Sequence, residues 1–148
     1  MLGVAVLDAS SITEELSVGA APPPGYYGSR FDVVVLVSEE YQPPDSAFPG
    51  VRVRRFPFDD SMRPTSADFR MAIEAAKSVA SDIVRGRRVL VTCSMGRNRS
   101  ALVAALAIHR ATGVSGRRAA DYVRRRRVDS LGVRALSNPA FVKFLSAF

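Results

Sequence analysis

Residues 88–103 read RVLVTCSMGRNRSALV, and the fold turns on this stretch. Arg88 to Thr92 is apolar or β-branched at every residue after its first and predicts a strand. Ser100 to His109 (SALVAALAIH) is apolar nearly all round a helical projection, which predicts a central, buried helix. Between them lies a short loop of Cys93, Ser94, Met95, Gly96, Arg97, Asn98 and Arg99. A strand, a tight loop and a helix that begins at once gather backbone N–H groups and a positive helix end around one point. A phosphate held there would rest on Cys93, be ringed by the amides of Ser94 to Asn98, and be clamped by the Arg99 guanidinium. The same field favours the thiolate, the nucleophilic form of Cys93. A lone cysteine is more commonly a small buried hydrophobe, and an arginine-rich chain produces Cys-x5-Arg by chance. The glycine in the loop, the serine after Arg99 and the apolar segments on both sides separate this case from chance.

Working outward, Phe31 to Val37 (FDVVVLV) reads as a strand buried on both faces. Val51, Val53 and Phe56 predict another that ends at Pro57, and Val4 to Leu7 and Leu16 to Val18 are shorter candidates. Thr65 with Asp68 three residues on starts a helix whose apolar positions run from Phe69 to Val84, with Gly86 placed to end it. Two more helices are expected, over about Gly116 to Arg127 and Asn138 to Ala147. The order predicts one α/β domain over residues 1–148, a central mostly parallel sheet flanked by helices.

The chain has 148 residues, enough to bury a core without disulfides or a metal. Its net charge of +7 conceals an acidic first third, where seven acids face Arg30 alone, and a basic remainder. An anionic partner is expected, with nucleic acid not favoured. No apolar run reaches the ~18 residues of a membrane span. The N-terminus lacks the pattern of a signal peptide, and the single thiol suggests the cytoplasm. Arg124 to Arg127 resembles a nucleic-acid or import signal. Ala119, Ala120 and Val123 give the same segment an apolar face, so a solvated basic face is expected instead.

Cys93, Gly96, Arg99 and Ser100 resemble the H-C-x5-R-[ST] signature of the cysteine-dependent protein tyrosine phosphatases, and within them the small dual-specificity phosphatases. Ser137 to Phe141 is similar to the start of that family's last helix, and Phe56 to Asp60 to its acid-bearing loop. The resemblance implies a phosphocysteine mechanism with no metal or other cofactor. Cys93 would attack phosphorus, Arg99 and the loop amides would stabilise the transferring group, and Ser100 would help the thiolate leave. Asp60 would be the general acid, with Asp59 as the neighbour to test. Thr92 stands where the family has histidine, which implies activity that is weaker or displaced to higher pH. Arg97 either reaches a second anionic group or points to solvent, and Arg63 either lines the mouth or is solvated. Phosphorylated proteins are the expected substrates. RNA 5′ ends, phosphoinositides and a non-catalytic phospho-binding role remain the alternatives.

Overall fold

The computed structural model describes residues 7–40 and 42–148. In chain order the elements are β1 (Ala9–Ser11), β2 (Leu16–Gly19), β3 (Val33–Ser38), β4 (Arg52–Phe58), α1 (Ser66–Val84), β5 (Val89–Thr92), α2 (Arg99–Thr112), α3 (Gly116–Leu131) and α4 (Pro139–Leu145). The strands form one sheet in the order β1-β2-β5-β3-β4. Only the β1 pairing is antiparallel. The fold class is therefore the expected α/β domain with a mostly parallel sheet.

Strand side chains alternate between faces, and the two faces of this sheet are covered differently. Val33, Val35, Val37, Val89 and Val91 join the core contributed by the helices. Val34, Leu36 and Leu90 point the other way, against Phe31 and Phe48 from irregular segments. That double coverage is why all six residues of β3 are buried. β4 runs one residue past Pro57, to Phe58, because it is an edge strand and the missing proline N–H interrupts no inner ladder.

Helix α1 starts at the expected capping box, with Asp68 N donating to Thr65 Oγ1 (3.1 Å) and Thr65 N to Asp68 Oδ2 (2.9 Å). Helix α2 is buried from Arg99 to Ile108. Most of the expected Val4 to Leu7 strand lies outside the described residues, and the edge strand β1 falls just after it. No helix among the described residues is long and apolar enough to cross a membrane.

One expectation needs correction. Arg125 and Arg126 are exposed as a solvated face requires, but Arg127 is fully buried. Helix α3 continues to Leu131, and Arg127 falls four residues after Val123 on its apolar side.

Candidate active site

The loop between β5 and α2 leaves the carboxyl end of a central strand, where parallel sheets place ligands. Its carbonyls are tied outward by several elements. Ser94 O accepts from Ala21 N (3.2 Å), Arg97 O from Leu136 N (2.8 Å) and Asn98 O from Leu102 N (2.8 Å). Gly96 O accepts from the buried Arg127, through Nη2 at 2.8 Å and Nε at 3.2 Å. Arg127 Nη1 in turn donates to Asp8 Oδ1 (2.8 Å) and Ser10 Oγ (3.1 Å). A trans peptide is planar, with C=O and the next N–H directed oppositely. Each carbonyl anchor therefore turns the following amide, that of Met95, Arg97, Asn98 or Arg99, to the other side of the loop. Among the described residues, no amide from Ser94 to Asn98 donates to a protein acceptor. Helix α2 also begins without a side-chain cap.

Gly96 makes this packing feasible. Its φ is +66°, and a Cβ there would lie 2.5 Å from Arg127 Nη2 and 2.6 Å from Ala20 N. Only glycine fits both the conformation and the space.

Cys93 is buried, with Sγ 3.3 Å from Ser100 Oγ. Arg99 is buried as well. Its Nη1 donates to Glu40 Oε2 (3.0 Å) and Phe58 O (3.2 Å), and its Nη2 to Glu40 Oε1. Nε is buried without a partner among the described residues. Burial opposes the charge of Arg99, but its hydrogen bond to Glu40 and the nearby Cys93, Glu40 and Asp60 outweigh it and raise its pKa. The Arg99 hydrogen bond holds the Glu40 carboxyl down to about 2, against a smaller opposing effect of burial.

Asp60 lies beside the loop. Its Oδ2 accepts from Asn98 Nδ2 (3.1 Å) and its Oδ1 from Asn138 Nδ2 (2.8 Å). Asn138 also caps α4 by accepting from Ala140 N (3.0 Å) and donates to Ser61 O (2.8 Å). Asn98 Oδ1 accepts from Asn138 N (3.0 Å), closing a network of loop, acid and helix.

No family model matches the sequence, and no curated protein matches it. Solved structures do. The chain is similar to a mouse putative dual specificity phosphatase complexed with zinc tungstate, with 21% identity, a TM-score of 0.75, and 99% of this chain and 91% of that one covered. It is similar to Tk-PTP in its active form at 23% identity and a TM-score of 0.71, covering 95% of this chain and 97% of that one. The chain has the dual-specificity phosphatase fold. A human tyrosine phosphatase-like serine/threonine/tyrosine-interacting protein matches at 18% identity and a TM-score of 0.69 over 96% and 95% of the two chains. Likeness of this order establishes the fold.

Within the phosphatase fold, the residues read from sequence divide into two groups. Cys93, Ser94, Gly96, Asn98, Arg99, Ser100 and Asp60 converge at the loop. Asp59 is exposed, and its backbone N–H donates to Asp68 Oδ1 (3.4 Å). Met95, Arg97 and Arg63 are exposed, and the side chains of both arginines make no hydrogen bond among the described residues. Thr92, just before Cys93, is buried and donates through Oγ1 to Gln42 Oε1 (3.4 Å). Three residues of the site escape a reading of the sequence: Glu40, Arg127 and the role of Asn138. Arg127 alone carries a sequence signal, its helical spacing from Ala120 and Val123.

Proposed function

We propose that this chain is a metal-independent phosphomonoester hydrolase of the protein tyrosine or dual-specificity type, with residues 1–148 acting as one catalytic unit. The observation that carries it is the set of free donors around a buried thiol: the loop amides, the uncapped start of α2 and Arg99 Nε. Such a set matches a tetrahedral oxyanion and stabilises charge on it as the phosphoryl group transfers.

The Cys93 thiolate attacks phosphorus, the P–O bond to the leaving group breaks, and the departing oxygen takes a proton from Asp60. Water then attacks the phosphocysteine, giving its proton to Asp60. The P–S bond breaks, and Ser100 hydrogen-bonds the thiolate that leaves, a role supported by the 3.3 Å contact. Both Asp60 oxygens accept amide hydrogens, so proton delivery requires the carboxyl to turn from Asn98 or Asn138 toward the substrate. A nucleophilic thiol persists most readily in a reducing compartment, which supports the cytoplasm.

The test is hydrolysis of a small aryl phosphate. Turnover is expected to be inhibited by vanadate, unaffected by EDTA and abolished in Cys93→Ser. Asp60→Asn is expected to lower kcat by about 10²-fold or more, with Asp59→Asn near wild type. Absence of turnover between pH 5 and 8.5 refutes the reading, and the larger loss in Asp59→Asn refutes the choice of acid.

A further inference from the structure

Beside the loop, helices α3 and α4 enclose a groove of about 580 Å³. Ala120, Leu136 and Val142 contribute an aliphatic floor, and Arg117, Arg124 and Lys143 stand on the rim. The one acid there, Asp121, is 3.6 Å from Arg124. Arg117 and Lys143 are exposed and have no carboxylate partner among the described residues. The groove is continuous with the phosphate loop. Ser137 lines it and donates to Asn98 Oδ1 (3.4 Å), and the backbone of Leu136 is bonded to Arg97 O.

We propose that this groove docks the acidic flank of a phosphorylated protein substrate while the phosphate sits on the Cys93 loop; the inference rests on the phosphatase reading above. The unopposed rim cations call for an acidic partner. The concave aliphatic floor takes a side chain such as leucine, which a flat bilayer surface does not insert. None of the groove residues is aromatic, so it offers no platform on which nucleic-acid bases stack. Helix α4 spans seven residues, roughly 10 Å of groove, which an extended peptide covers in about three residues. The groove meets the loop at Ser137 and Asn98, so the acidic positions recognised fall in a window of about three residues on one flank of the phosphorylated one.

The experiment compares phosphotyrosine peptides that carry a run of three glutamates or three glutamines, stepped along either flank. In wild type at low salt the glutamate run that falls in the window is expected to give a KM about five- to tenfold lower, with kcat unchanged. The preference should vanish in Arg117→Glu/Lys143→Glu, whose hydrolysis of the aryl phosphate stays at the wild-type rate. Equal KM values in wild type overturn the proposal, as does a preference that survives the double substitution. Anionic vesicles or 5′-phosphorylated RNA binding through these two residues, with no preference among peptides, also overturn it. Lack of aryl phosphate turnover is a failure of the phosphatase reading instead. The groove is then decided by the Kd values of the same peptides for Cys93→Ser and for its groove double variant.

Discussion

Replacing Arg127 with methionine tests the view that a buried cation holds the phosphate loop in its working conformation. Arg127 is 0% exposed, and the substitution removes the hydrogen bonds to Gly96 O (2.8 and 3.2 Å), Ser10 Oγ (3.1 Å) and Asp8 Oδ1 (2.8 Å). A buried carbonyl or hydroxyl left without a partner costs about 1–3 kcal/mol. Gly96 O and Ser10 Oγ both lose their Arg127 donor, whereas the Asp8 side chain is 42% exposed and is rehydrated. Methionine refills part of the volume. The net loss is about 3 kcal/mol, which for a domain of this size lowers Tm by about 10 °C. The effect on catalysis has a separate origin. Once Gly96 O is released, the Arg97 amide is no longer directed, and loss of one preorganised donor bounds the effect at about 10²–10³ in kcat. Partial disorder of one peptide should give about 10- to 100-fold, with a matching loss of vanadate affinity. Thermal melting, steady-state kinetics and vanadate titration below the melting transition measure these separately. Asp8→Asn keeps an acceptor but takes the counter-charge from the buried guanidinium, and should cost about 1–3 kcal/mol. If Arg127→Met binds vanadate and turns over aryl phosphate like wild type, the orienting role is wrong, whatever its Tm.

Two further substitutions probe the neighbours of the loop. Arg99 holds Glu40 down to about 2 from its usual 4.5, and a depressed carboxyl stabilises only while ionised. The stability lead of wild type over Glu40→Gln should thus be full above pH 4.5 and shrink as pH falls toward 2. Urea midpoints that differ equally at pH 6 and pH 3.5 refute the pairing, and added salt should reduce the lead because Glu40 is 42% exposed. Asn138→Ala removes the α4 cap, costing about 1 kcal/mol by denaturation. It also removes one of the two side-chain hydrogen bonds that position Asp60, leaving that from Asn98, so kcat should fall more for an alkyl phosphate, whose leaving group needs a proton, than for a nitrophenyl phosphate; equal losses contradict the positioning role.

The phosphate loop was legible because strand, glycine, arginine and buried helix are consecutive in the chain. Local pattern alone then determines the geometry. Helix α1 was legible for the same reason, its capping box spanning Thr65 to Asp68. Glu40 was not, since nothing local links it to a residue 59 positions away; the pairing arises because β3 and β5 are neighbours in the sheet. Arg127 was obscured by its own surroundings. In a run of four arginines composition is uniform, and only the helical phase set by Ala120 and Val123 distinguishes the fourth, which turns inward, from the two before it. β1 is not legible because Ala-Ser-Ser lacks β-branched residues, and its pairing with β2 through Ala9 and Gly19 supplies what propensity does not.

The Asp8–Arg127 pair spans 119 positions, so it joins nearly the two ends of the chain across the phosphate loop. Contacts of such separation close late, because the loop entropy must be overcome before they contribute. The loop can thus be connected to its strand and helix early in folding and still lack its orienting cation. On refolding, helical signal and compaction should return ahead of vanadate binding, and a nascent chain should acquire its anion site only after α3 has docked against β1.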